Sequence, residues 1–378
     1  MSSSWFAIIP VLLLVGCQRD GIELFGYGSG DVSDRITVLS DSSDGNRRPQ
    51  DLAFDRQDDS VLWVVNRTED SVTIHRGVGT GDVDVEKIID PYALHFMEKV
   101  SSIAWGKGDT FATCQDSLNT YNGDGAPNEF MGPTLWSADP DIFGHTNPEA
   151  VEALTEQFNS AAPVNLGSHL DMLHESPQCM GIAWEEENVY WVFDGYHERI
   201  VSYDFAVDHG PGWDDHSDGI VRRHMEADVE REDGIVSHLV MDHATKLLYV
   251  ADTGNNRIMV LDTTTGRDGR DLGSQDCSFA TGECVDHRTK VNSTWTELVD
   301  GSLHEMASPA GIELFDGVLY VTDAGNGFLY AFDLEGNELD RAYTGIQDRG
   351  LQGVTARNAE ELYLVDSKSN EILVLTLD

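Results

Sequence analysis

Between His238 and Gly266 the chain reads HLVMDHATKLLYVADTGNNRIMVLDTTTG, and through most of it apolar and polar residues alternate. A period of two places successive side chains on opposite faces of a strand, so the alternation predicts short antiparallel strands. Turn residues punctuate them: HATK precedes LLYVAD, and TGNN separates LLYVAD from RIMVLD. Five further stretches align on this unit, beginning at Arg48, Ser101, Cys179, Ser308 and Leu351, which makes six copies. Such a unit cannot bury its apolar faces alone, so the copies are expected to stack on one another.

Asp194, Asp252, Asp323 and Asp366 each end the second strand of a copy, just before a turn rich in Gly, Asn or Ser. Their carboxylates are expected to cap backbone N–H groups of that turn rather than to do chemistry. The last copy stops after its third strand, while RITVLS (residues 35–40) precedes the first copy. That run is expected to supply the missing outer strand, which would join the two ends of the repeat array and remove an exposed edge. Second-strand ends are 43 to 80 residues apart, and the widest gaps, between copies two and three and copies four and five, mark insertions. The first insertion contains NPEAVEALTEQF (residues 147–158), a predicted helix with Pro at its start.

The unit, YVADTGNNRI above all, resembles the NHL-repeat β-propellers, over roughly residues 35 to 378. That resemblance implies an all-β fold, six four-stranded blades around a central channel. FDGYHERIV (residues 193–201) resembles a turn of peptidylglycine amidating lyases, zinc enzymes on this fold, with Tyr196 and Arg199 at matching positions. Where that family places its zinc histidines, however, this chain has Met180, Ser237 and Ala310, so the lyase mechanism does not carry over.

The N-terminus changes the picture of where the propeller resides. WFAIIPVLLLV is too short to span a bilayer as a helix and fits the apolar core of a signal peptide. It runs into LVGC, which resembles the lipobox of bacterial lipoproteins and implies cleavage before Cys17 and acylation of its thiol. MSSS lacks the usual basic residues, which leaves an ordinary secretory signal open. The expected organisation is a signal peptide (1–16), a lipid-anchored flexible tether (17–33) and a propeller (34–378). Gln18 resembles outer-membrane sorting. The remaining four cysteines suit two disulfides in an oxidising compartment: Cys277 with Cys284 across a short loop, and Cys114 with Cys179 by elimination.

A formal net charge of −43, from 24 basic and 67 acidic residues, excludes nucleic acid as a partner and repels anionic lipid, so membrane contact is expected only through the anchor. It also attracts divalent cations. Three histidines occupy one offset: His95, His174 and His304 each follow a leucine and precede by eight the isoleucine of an innermost strand (Ile103, Ile182, Ile312). Equivalent places around one axis predict convergence at the channel mouth on zinc or another transition metal, with Glu98, Glu175 and Glu305 nearby to orient the rings. The alternative is a recurrent turn packed on Leu94, Leu173 and Leu303. Secondary ligand candidates are His169 and Asp171 in HLDMLH, and His209, Asp215 and His216 in DHGPGWDDHSDG, whose oxygens also suit calcium; as a solvated acidic loop it needs no metal. No catalytic motif appears in the sequence. The expected function is a monomeric binding protein that holds a ligand or protein partner on its loop-rich face. The alternative is a metal-dependent lyase or hydrolase.

Overall fold

A computed structural model describes residues 24–25, 30–118, 130–274 and 284–377. Among them, six sheets stand around a central axis, and the chain visits them in order. The innermost strands are Pro49–Phe54, Val100–Trp105, Cys179–Glu186, Leu239–Asp242, Pro309–Phe315 and Leu351–Asn358, one from each repeat. Each sheet then steps outward through antiparallel neighbours. This is the six-bladed β-propeller that the repeats predict.

The ring closes as expected. Ile36–Ser40 pairs antiparallel with Glu371–Thr376, Ile36 opposite Leu375 and Val38 opposite Leu373, and completes blade six. The core lies between blades rather than at the axis. Ala112, Cys114 and Leu135 of blade two, for example, pack with Ile182, Tyr190 and Val201 of blade three. Cys114 and Cys179 are bridged there, Cα atoms 5.2 Å apart, so a covalent bond joins the second strand of blade two to the first strand of blade three. Cys284 is also disulfide-bonded; its expected partner Cys277 lies outside the described residues, as do Cys17 and the signal segment.

Three of the four turn aspartates act as caps, whereas Asp252 accepts from the Glu230 N–H and from the side chains of Asn255 and Arg257 instead of the backbone of its own turn. Asp194 Oδ1 accepts from the N–H groups of Tyr196 and His197, Asp323 Oδ1 from Gly325 and Asn326, and Asp366 Oδ1 from Lys368 and Ser369. The predicted helix forms over Pro148–Gln157 with Asn147 as its cap, inside the long connection between the third and fourth strands of blade two. No helix among the described residues is long and apolar enough to cross a membrane.

Two features depart from expectation. Part of the expected tether docks on the propeller: Phe25 and Val32 are buried in the core of blades five and six, and the Phe25 N–H donates to Asp340. Burying a phenylalanine is worth about 2–3 kcal/mol, enough to hold such a segment. Blade three has six strands, because Asp286–Val291 adds parallel to Ile220–Asp228 and Arg267–Asp271 adds beyond it. Both come from the insertion after the third strand of blade four, which leaves to cover its neighbour's edge and returns as Thr294–Asp300.

Candidate functional site

Polar groups concentrate in two places. The first is an axial pocket of about 260 Å³ whose lining includes Asp51, Arg56, Trp105, Trp184, His238 and Glu313. Each repeat has one position at the axis just before the Leu, Ile or Val of its innermost strand. Four copies have Ser102, Gly181, Gly311 and Gly353 there; the other two have Asp51 and His238. Those two belong to blades one and four, opposite each other in a ring of six, and they meet: His238 Nδ1 is 3.4 Å from Asp51 Oδ1. Small neighbours make room, since a Cβ on Gly353 would lie 2.9 Å from the Asp51 backbone.

Asp51 is fixed further by the N–H groups of Ile103 and Leu52, and His238 Nε2 lies 3.3 Å from the Ser101 carbonyl. Burial raises the Asp51 carboxyl above its ordinary range, opposed by the His238 charge. Burial, helped by repulsion from Asp51, pushes Glu313 up to about 8. One carboxyl of the pocket is therefore largely protonated near neutrality and can donate a hydrogen bond. At the rim the Arg56 guanidinium lies 4.1 Å from the centre of the Trp184 ring. Sequence reasoning missed this set, although Asp51 and His238 stand out once the repeats are aligned on their small residues.

The second place is the outer flank of blade two. His95 comes from the short helix Ala93–Phe96 in the connection from blade one, and His169 and Asp171 from the outermost strand His169–Met172. His174 follows that strand, and His216 comes from the 205–219 connection of blade three, which folds back over blade two. Ring centroids are 6.1 Å apart for His95 and His174, 6.1 Å for His174 and His216, and 6.0 Å for His216 and His169. All four rings are buried.

The predicted trio therefore comes together only in part, and away from the channel mouth. A connection between blades starts at an outer strand and ends at an inner one, so a position eight residues before the inner isoleucine sits near its outer end. His95 and His174 meet because their connections are neighbours, from blade one to two and from two to three. His304 belongs to the connection from blade four to five, where its Nδ1 is 2.7 Å from Glu338 Oε2 and its ring meets Phe332. Glu98 accepts from Ser117, Glu175 lies 3.5 Å from His287, and Glu305 pairs with Arg341 at 2.9 Å. The carboxylates that meet a ring of the cluster are instead Asp171, with Oδ1 2.5 Å from His216 Nδ1, and Asp214, with Oδ1 3.8 Å from His216 Nε2. Leu173 is buried, but Leu94 and Leu303 are exposed, so the three Leu-His pairs do not share one packing turn.

Beside this cluster, Asp171, His209 and Asp218 offer ligand atoms within 4.8 Å of one another, while Asp215 caps the Ser217 N–H. Tyr196 and Arg199 lie at the turn between the second and third strands of blade three, with Tyr196 partly exposed. Met180 and Ala310 pack in the core, and the Ser237 hydroxyl bonds Thr253.

No family model matches the chain, and no curated protein does. Similar solved structures are a luciferin-regenerating enzyme (TM-score 0.50, 13% identity, 90% of this chain and 94% of that one) and the calcium-binding protein regucalcin from Agrobacterium tumefaciens (0.50, 12%, 90% and 92%). An auxiliary nutrient binding protein from Bacteroides thetaiotaomicron is also similar (0.49, 11%, 87% and 69%). At such identities the likeness speaks for the fold alone: this chain is a six-bladed β-propeller.

Proposed function

We propose that this protein is an exported, lipid-anchored binding propeller that takes a small polar ligand into its axial pocket. The observation that carries the reading is the pairing of Asp51 with His238 across the axis beside Glu313, under an aromatic rim. A concave site with apolar walls and a few convergent polar groups is the usual form of a small-molecule site. Two carboxyls, one of them protonated near neutrality, favour a ligand that offers both donors and acceptors, such as an amine-bearing or polyhydroxylated compound. Export is supported by LVGC after the apolar run and by the Cys114–Cys179 bridge, which suits an oxidising compartment.

A lyase or hydrolase is the second reading. It is favoured by the same three groups, because an Asp–His pair facing a protonated carboxyl is an acid–base arrangement. Screening small amines and sugars by thermal shift tests binding: a ligand at 100 times its Kd adds about 2.7 kcal/mol. Glu313→Ala in the pocket lining and Arg56→Ala at the rim should each weaken the hit at least tenfold. A hit that binds both variants unchanged would place the site elsewhere, and conversion of the ligand would favour the enzyme. Cys17→Ala should release the protein from membranes; retention would refute the anchor.

A further inference from the structure

We infer that Asp171, His209 and Asp218 form a site for zinc or a similar divalent transition metal on the flank of blade two, separate from the axial pocket and beyond the binding function proposed for it. Asp171 lies in the outermost strand of blade two, whereas His209 and Asp218 belong to the 205–219 connection of blade three. One ligand atom from each, two carboxylate oxygens and a ring nitrogen, lies within 4.8 Å of the other two. With bonds of about 2.0–2.2 Å, ligand atoms on one tetrahedral zinc ion stand about 3.4 Å apart. No pair therefore has to close by more than about 1.4 Å, a distance that side-chain rotation covers. His209 Nε2 and Asp218 Oδ1, at 3.0 Å, are already close enough to share one ion.

A second observation points to a cation. Asp171 is buried, and its Oδ2 has no hydrogen-bond partner among the described residues. A buried carboxylate oxygen left unpaired carries the full cost of its lost hydration. Protonation does not relieve that cost, because a carboxyl O–H in the same place would be an unpaired donor. A bound cation does relieve it. Both carboxylates are also held by their other oxygen: Asp171 Oδ1 lies 2.5 Å from His216 Nδ1, and Asp218 Oδ2 accepts from the Val207 N–H at 3.1 Å. Contacts of this kind orient ligating carboxylates. The hydrogen bond between His209 Nε2 and Asp218 gives way on binding; the neutral ring then carries its proton on Nδ1 and turns the Nε2 lone pair to the ion.

The donor set selects the ion. Two carboxylates bring two negative charges, which a divalent cation neutralises. The imidazole favours zinc, cobalt or nickel over calcium and magnesium, which take oxygen. A net charge of −43 concentrates divalent cations around the whole chain. The side chains of His209 and Asp218 are 21% and 35% exposed, so an ion can enter from solvent, while Asp171 is buried. Three protein ligands leave a fourth position to water. The ion would tie the 205–219 connection to the outermost strand of blade two, where the Gly212 N–H already donates to the His169 carbonyl at 2.8 Å.

The test uses the purified full chain, stripped with a chelator and titrated with zinc alone or cobalt(II) alone. Calorimetry should find one zinc per chain with a Kd in the micromolar range or tighter, and cobalt(II) should give visible absorption that zinc abolishes. His209→Ala and Asp218→Asn should each weaken zinc binding by about tenfold or more. Both side chains are partly exposed, and the asparagine keeps an acceptor for the Val207 N–H, so both variants are expected to fold. Should His209→Ala fail to fold, Asp218→Asn decides alone. Glu313→Ala, in the axial pocket, should bind zinc as the wild type does. The proposal is overturned if the wild type takes up no zinc, or takes up calcium only. It is overturned equally by uptake that is unchanged in both flank variants, or that is lost in Glu313→Ala, which would move the ion to the axis.

Discussion

Breaking the Cys114–Cys179 bridge is expected to cost about 4 kcal/mol. The two cysteines are 65 residues apart in sequence and are wholly buried between blades two and three. Closing a loop of that length lowers the entropy of the unfolded chain by roughly 15 cal/mol/K, about 4 kcal/mol at 25 °C. With about 2.1 cal/mol/K of unfolding entropy per residue over roughly 340 residues, that is about 6 °C in melting temperature. The assay is denaturant unfolding of the wild type, oxidised and reduced, with Cys114→Ala, Cys179→Ala and the double variant. Either single change breaks the bond, so both singles and the double should lose nearly the same free energy. Losses under about 1 kcal/mol, or two single losses that add in the double variant, would show that the bridge is not a constraint on folding.

Deleting residues 36–40 should lower the melting temperature by several degrees, because it uncovers the Glu371–Thr376 edge and exposes Leu373 and Leu375; an unchanged transition would mean that the ring does not depend on its closure. Glu313→Gln should act in a pH-dependent way. The folded-state pKa of Glu313, about 8, lies above its unfolded value, so the native carboxyl is favoured at low pH and its contribution fades as pH rises from about 4.5 through 8. The amide variant should match the wild type at pH 5 and melt higher at pH 9, and equal melting at both would contradict a carboxyl held protonated in the pocket.

Local order in the chain determined most of the fold. Period-two alternation, turn residues and capping aspartates are short-range signals, and they located six blades, the closing strand and the helix at Pro148–Gln157. What escaped is non-local. The sequence could not show that two strands of the blade-four insertion would join blade three, because an edge accepts any strand that reaches it. Phe25 looked like part of a tether, since nothing near it in sequence reveals the groove it fills. The candidate sites divide the same way. The eight-residue offset marked His95, His174 and His304 as equivalent in the repeat, yet equivalent positions around a ring are not neighbours. Only adjacency of blades brought His95 and His174 together, and only the fold-back of the 205–219 connection added His216. Asp51 and His238 lie 187 positions apart in the chain. They touch because they face each other across the axis, and a ring of six blades is what puts them there.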